Sequence, residues 1–467
     1  MKKLTLICFI VVITAGWGSK KKKYDPTTLV FPPYLHTLGI RKATKYHLFI
    51  FTQNKVKFRD PQALATVRLD SWENPNDKGD DDEVTVYGVN SGQNNIIYNK
   101  SMTSLGVYGL NEKGKRKLKS PRGIAANSRG DVYVADTGNN RIVRLFNPKS
   151  NLQFVKGIGK YGIKQGEFNR PRDVFLDSQG NVYVTDTGNN RVQVFDKNDN
   201  FKFSFGTSGK ENGELFLPDA IVVNDKRERW AYYRKEFIMI IDLNNSRIQK
   251  FDIQGNFIKS INAEDFGYPD VYLSYMALDY YCNIYVTDKV NNCIHKFDRN
   301  LNYLTSYGRK GKGDKEFIEP RGITIYRRFG QMFVAEKEGA QYYWIGTDFK
   351  DFTVHLYQQR KCFFTFEYFL TETSFITVDV FSEDEKFVTR IWNKRFKSSG
   401  RQSDNWRCNV RNWPDSVLLK DNLTIAPRYK NIKNLPRGNY KIRYKFEPTY
   451  SSYRHFYKET TEHVKIE

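Results

Sequence analysis

From Pro121 onward the apolar positions fall in short runs of β-branched and aromatic residues, each bounded by Gly, Asn, Asp or Pro. Such runs predict short strands joined by tight turns. The pattern then repeats itself. Gly130-Asp-Val-Tyr-Val-Ala-Asp-Thr-Gly-Asn-Asn-Arg-Ile142 returns about fifty residues later as Gly180-Asn-Val-Tyr-Val-Thr-Asp-Thr-Gly-Asn-Asn-Arg-Val192. Each unit begins with a loop rich in Gly and charge that leads to Pro and a short apolar strand. A second strand follows (Asp131–Ala135, Asn181–Thr185), then the turn Asp-Thr-Gly-Asn-Asn. A third strand (Arg141–Phe146, Arg191–Phe195) and a fourth (Leu152–Gly157, Phe201–Gly206) complete it. Four antiparallel strands at this period predict one blade of a β-propeller.

The prolines that open the units count the blades. Pro121, Pro171, Pro218, Pro269 and Pro320 are spaced about 47 to 51 residues apart. A weaker unit precedes them: Asp60–Asp70 matches the opening strand, and Glu83–Tyr87 and Asn95–Tyr98 match the next two. An acidic insertion, Asn76–Glu83, separates them, and a second insertion, Asp225–Glu236, enlarges a loop of a later unit. The count is six. The last unit, Arg321–Phe349, has three strands, and His47–Thr52 reads like the fourth strand Phe201–Gly206. The expectation is therefore that the N-terminal strand completes the C-terminal blade and hides the sheet edges.

These motifs resemble the NHL-repeat family of six-bladed β-propellers, over roughly residues 46–350. The resemblance is strong at Asp136 and Asp186. It fades outward, to Asp242…Arg247, Asp288…Cys293 and Glu336…Gln341. After Phe349 the repeat stops. Phe363–Leu370, Phe375–Phe381, Phe387–Trp392, Asn439–Phe446 and His463–Ile466 predict a small antiparallel sandwich. The stretch Leu370–Phe381, with Trp406 and Leu435-Pro-Arg-Gly-Asn-Tyr440, resembles the immunoglobulin-like module of flagellar hook-capping proteins, which implies a spacer, attachment or sorting role. The predicted fold class is all-β: a six-bladed propeller at 46–350 and an immunoglobulin-like sandwich at 351–467.

The N-terminus changes the compartment. Residues 1–19 have a basic start, an apolar run of about a dozen residues and small residues after it, the pattern of a secretory signal peptide. A basic linker, 20–45, follows with Lys20–Lys23. No later segment is apolar for long enough to span a membrane. The expected location is secreted, periplasmic or cell-surface, in a bacterium. The formal charge of +23 points to anionic partners. Cys282 and Cys293 flank one strand and should lie about 17–20 Å apart, too far for a disulfide, whereas Cys362 and Cys408 share the C-terminal domain.

Two residue sets are candidates for function. The recurring Asp136, Asn140, Arg141, Asp186, Asn190, Arg191, Asp242 and Arg247 are expected to be structural, because Asn and Gly suit tight turns and the Asp–Arg pairs suit hydrogen bonds between blades. The loops joining one blade to the next are the better binding candidates. Three are basic: Lys113 to Arg122, including Lys117; Lys160 to Arg172, including Lys164; and Arg309 to Arg321, including Lys312. The residue after each Pro should border the central channel. That places Arg122, Arg172 and Arg321 there, with Asp219 and Asp270 in two other blades and Asp173 beside them. Guanidinium groups on such a rim suit carboxylate, phosphate or acidic-glycan ligands.

Enzymatic readings have less support. Some NHL-like propellers are lyases with several channel histidines, but only His47 and His295 of the six histidines fall in the propeller, both expected in outer strands. No metal ligand set or cofactor is expected, with calcium on channel carboxylates as the one alternative. A hydrolase or lyase acting at the channel remains the second functional reading. RNA binding on a basic face, known for certain NHL propellers, is disfavoured by the signal peptide. The expected function is a non-enzymatic platform that binds a protein or anionic polysaccharide through its loop face. Oligomeric state is not legible.

Overall fold

The computed structural model describes residues 27–33, 41–72, 84–101, 104–149, 151–357, 363–407, 435 and 437–466. The leader, Lys20–Lys23, the Asn76–Glu83 insertion, Cys362 and Cys408 lie outside the described residues. Strands dominate, in antiparallel sheets. Six sheets run from Pro61–Val67 to Ser104–Tyr108, from Ile124–Ala126 to Gln153–Ile158, from Val174–Leu176 to Phe201–Phe205, from Pro218–Asn224 to Phe257–Asn262, from Leu273–Leu278 to Tyr303–Tyr307, and from Ile323–Tyr326 to Gly339–Ile345. The first strand of each sheet lies against the first strand of the next, and Ile323–Tyr326 lies against Pro61–Val67. The inner strands thus enclose a central channel, the arrangement of a β-propeller. Six sheets are consistent with the count expected from the prolines.

Apolar residues alternate between the two faces of each blade and pack against the neighbouring blade. Ala125, Tyr133 and Ile142 of the second sheet, for example, meet Val174, Val182 and Val184 of the third. The loops between blades and the second-to-third-strand turns lie on one side of the disc, here the loop face. The first-to-second-strand turns lie on the other, here the turn face.

The ring closes differently from the expectation. Leu29–Val30 pairs with Ile345 and Trp344, and Lys42–Ala43 pairs with Gln341 and Ala340. The segment expected as a linker therefore supplies the outer strands of the last blade. His47–Thr52, expected to be that strand, belongs to an α-helix, Lys45–Thr52. Thr44 caps it: its backbone N–H donates to His47 Nδ1 at 3.1 Å. The helix ends where Gln53 turns left-handed. Its run of apolar residues lacks the polar alternation of an outer strand, and within it Leu48 is the apolar side chain that is buried.

A second correction concerns the fifth blade. Leu273 pairs with Asp288 as Pro218 pairs with Asp242, so Leu273 holds the opening position that Pro269 was expected to hold. A 3₁₀ turn, Ala263–Phe266, lengthens the approach. Asp270 therefore precedes the inner strand and is exposed, and Ser274 occupies the position expected for it.

The C-terminal residues form a sandwich. One sheet contains Phe349–Tyr357, Phe363–Leu370 and Gly400–Arg407; the other contains Ser374–Ser382, Phe387–Lys397, Gly438–Pro448 and Lys458–Ile466. Phe364, Phe366, Tyr368, Ile376, Val378, Tyr444 and Phe446 are fully buried between them. The sandwich packs on the turn face. Phe396 stacks on Tyr232 of the Asp225–Glu236 insertion, Tyr450 meets Tyr281 edge-on, and the Tyr280 N–H donates to Tyr450 Oη at 3.2 Å. Glu372 enters the fifth blade, where it pairs with buried Lys296 and accepts from Tyr285 Oη at 3.1 Å.

Candidate functional site

The recurring motif residues divide their work. Asp136, Asp186 and Asp242 are fully buried, and each accepts Nε of Arg141, Arg191 or Arg247 at 2.8 Å. Each also accepts a backbone N–H from the loop leading into its own blade: Lys119, Asn169 or Phe216. Arg191 then donates to the carbonyls of Lys164 and Glu167 in that loop. The Asp–Arg pairs therefore pin the connecting loops. The bonds from blade to blade come from asparagine and threonine instead: Asn140 Oδ1 accepts from Arg170 N–H and Asn190 Oδ1 from Leu217 N–H, both at 2.8 Å, and Thr137 and Thr187 donate Oγ1 to the carbonyls of Pro171 and Pro218 at 2.7 and 2.6 Å. Both asparagines are left-handed, with φ of 51° and 53°, a conformation Asn tolerates better than most residues.

A glutamine that the repeat did not single out belongs to the same network. Gln193 and Gln249 donate Nε2 to Asp186 and Asp242 at 3.1 Å. In the fifth blade His295 takes that place, with Nε2 3.1 Å from Asp288 Oδ2, while Cys293 replaces the arginine. Asp288, Cys293 and His295 are the metal-capable cluster among the described residues. Their geometry is that of a hydrogen-bonded core: His295 Nδ1 lies 2.7 Å from Ser306 Oγ, and Cys293 Sγ lies 3.7 and 3.9 Å from the two ring nitrogens. Burial pushes the Cys293 thiol up to about 12, so it is a protonated thiol here. Cys282 and Cys293 are both free and buried.

At the loop-face end of the channel the structure brings together Arg122, Arg172, Asp173, Asp219 and Arg321, and adds Lys289. Arg172 Nε pairs with Asp219 Oδ1 at 2.8 Å. Arg321 pairs with Asp60, and with Glu319 at 3.0 Å. Arg122 donates to the neutral Gln62 Oε1 at 3.3 Å. Lys289 sits with its ammonium 4.4 Å from the centre of the Tyr272 ring. Burial pulls the Lys289 amine down to about 8, against the attraction of Asp219, and the three arginines lower it further. Burial likewise raises the Asp219 carboxyl, opposed by Arg172, Lys289 and Arg122. Two cations of this cluster, Arg122 and Lys289, thus have no carboxylate bonded to them among the described residues, the condition in which a bound anion stabilises a site. Lys289 was not legible as a site residue, because it stands where other blades carry Thr137 or Thr187.

Asp173 lies deeper. Its Oδ2 accepts the Ile221 N–H of the next blade at 3.0 Å, and burial lifts its carboxyl to about 7. Gly123 is required beside it, since a Cβ there would fall 2.5 Å from the Asp173 Cα. Asp173 and Tyr275 floor a cavity of about 1540 Å³ that opens on the turn face. Around the loop face, Lys117, Lys164 and Lys312 are exposed on the three connecting loops. Apolar side chains stand among them: Tyr161 is 70% and Ile163 77% exposed on the same loop as Lys160 and Lys164, with Leu110 and Val290 also exposed on this side. Asp270 is the one rim candidate that the structure does not bring to the channel.

Residues 118–145 and 168–195 match the NHL repeat. The chain is 28% identical over 169 residues to the protein brain tumor of Drosophila melanogaster, an alignment covering 35% of this chain. It spans 15% of the length of that curated relative. Among solved structures, streptogramin B lyase is similar at 13% identity and a TM-score of 0.42, covering 62% of this chain and 94% of that one. The virginiamycin B lyase of Staphylococcus aureus is similar at 14% identity and a TM-score of 0.39, covering 56% and 77%. The chain thus carries NHL repeats within a β-propeller.

Proposed function

We propose that the protein is an exported, non-enzymatic platform whose basic and apolar loop face binds a protein partner through that partner's acidic and apolar side chains. The observation that carries this reading is Tyr161 and Ile163, exposed within a basic loop that leads to the Arg172 end of the channel. Protein interfaces centre on apolar anchors ringed by polar groups, and large exposed apolar side chains grouped on one face mark such surfaces. Arg122 and Lys289 would receive carboxylates of the partner. The immunoglobulin-like reading of the sandwich adds that it presents the propeller at the cell surface. Export rests on the leader pattern of residues 1–19.

The test is to pan a displayed peptide library on the immobilised full chain. The reading expects enrichment of peptides with Asp or Glu beside an apolar residue, and loss of capture by Y161A/I163A and by R122Q/K289Q. Selected peptides that bind both variants undiminished refute it.

A second reading, a channel enzyme, is favoured by one observation. Asp173, with its carboxyl raised to about 7, floors the large cavity as a general acid would. Turnover of a hydrolase or lyase substrate that D173N abolishes would establish it. Its hydrogen bond to Ile221 is a sufficient structural role otherwise.

A further inference from the structure

The Asp225–Glu236 insertion does not take part in the loop face. It lies on the turn face, where it performs two tasks at once. Its Tyr232 packs on Phe396 of the sandwich, and its Arg227, Arg229 and Trp230 reach the mouth of the cavity. Arg327 and Arg328, from the corresponding turn of the sixth blade, reach the same mouth. Trp230 is clamped between two guanidinium groups, Arg229 at 4.7 Å and Arg328 at 5.0 Å from its ring centre. Arg227 donates to Gln179 Oε1 at 3.2 Å and Arg327 to Asn224 Oδ1 at 2.8 Å. Four guanidinium groups from two blades are therefore held in place by amides and an indole. None forms an ion pair with a carboxylate among the described residues.

We propose that this mouth is an anion-binding site for an acidic oligosaccharide. The arginines are positioned by neutral partners, so their charge is left for a ligand, and a planar fork matches carboxylate and sulfate alike. The cavity of about 1540 Å³ exceeds the roughly 300–1,000 Å³ of small-molecule pockets, which suits a chain of several sugar units. Its remaining wall includes Ser128, Gln179, Asn198 and Thr324, groups that hydrogen-bond hydroxyls, and also the carboxylates of Asp70, Asp173, Asp177, Asp196, Glu228 and Glu236, so the anion must seat at the arginines of the mouth and its hydroxyls along the wall. The mouth lies on the turn face, on the other side of the disc from the loop face, and shares only its floor residues Asp173 and Tyr275 with the channel cluster there.

The experiment titrates the full chain with polygalacturonate, dextran sulfate, neutral dextran and a poly-glutamate peptide. Bound and free protein are then treated with phenylglyoxal, and modified arginines are mapped by mass spectrometry. The proposal expects binding of one or both anionic polysaccharides and none of neutral dextran. The arm that binds names the carboxylate or the sulfate as the recognised group. Arg229 and Arg328 should be protected, and R229Q/R328Q should weaken affinity at least tenfold, while the charge-matched K386Q/K441Q on the sandwich changes it less than twofold. Equal weakening by the two pairs, protection confined to Arg122 and Arg170, or tighter binding of poly-glutamate overturns it. Loss of loop-face capture in R122Q/K289Q leaves this result untouched, so the two readings fail separately.

Discussion

Lys296 and Glu372 form an ion pair in which the side chains are 1% and 0% exposed, at the junction of propeller and sandwich. Removing one member of a buried pair strands the other and costs about 3–5 kcal/mol, whereas replacing both with apolar residues is often near neutral. K296M is the more severe change. It leaves Glu372 facing Asp279, whose carboxyl is raised by burial and then by the charge of Glu372, and is lowered by Lys296. E372Q leaves Lys296 with Asp279 as a substitute partner, so its cost should sit near the lower end. The sign with pH follows. An acid raised in the folded state binds more protons there than when unfolded, so stability declines as pH rises from about 4 through the raised value. Without the ammonium of Lys296 that decline deepens, and K296M should be more damaging at pH 8 than at pH 5.

The assay is amide exchange of the turn at Thr371–Ser374 in the full chain, with urea denaturation beside it. At about 1.4 kcal/mol per factor of ten, K296M should raise local opening by about three to four powers of ten at pH 8. K296M/E372L should recover most of the loss. Unchanged exchange in K296M at both pH values, or a double variant as poor as the single one, would refute the reasoning.

Three further outcomes follow from the geometry. H295Q restores the residue that other blades use and should shift the urea midpoint little, whereas H295A leaves buried Asp288 short of a donor and should cost about 1–3 kcal/mol. N190A removes the acceptor for Leu217 N–H and places alanine at a φ of 53°, so thermal unfolding should show a loss of about 2–3 kcal/mol. Lys289 loses its charge near pH 8, so loop-face affinity for an acidic peptide should fall as pH rises from 7 to 9, with a smaller fall in K289Q.

The blades were legible because turn chemistry and strand alternation are local. Asp136, Asn140 and Arg141 announce a left-handed turn whose hydrogen bonds lie within a few tens of residues. Closure was not, because Leu29–Val30 and Lys42–Ala43 are too short to carry a period and owe their strand pairing to Gly339–Ile345. The helix at Lys45–Thr52 was misread because four consecutive apolar residues, Leu48 to Phe51, satisfy a buried strand and a short helix equally. The proline anchors worked until the Ala263–Phe266 turn displaced Pro269 from its register, which carried Asp270 away from the channel. Arg122, Arg172 and Arg321 were found because the residue after the anchor faces inward. Lys289 was hidden because it arrives from a turn, and Glu372 because its partner is in another domain.

The central claim is that the loop face captures acidic, apolar-bearing protein segments. Calorimetric titration of the best library-selected peptide tests it most directly, against the wild-type chain, Y161A/I163A and R122Q/K289Q. Each charge-assisted hydrogen bond is worth about 1.5–3 kcal/mol, so R122Q/K289Q should weaken binding at least tenfold. Y161A/I163A should do the same through lost apolar contact. Affinities equal to wild type in both variants would contradict the account.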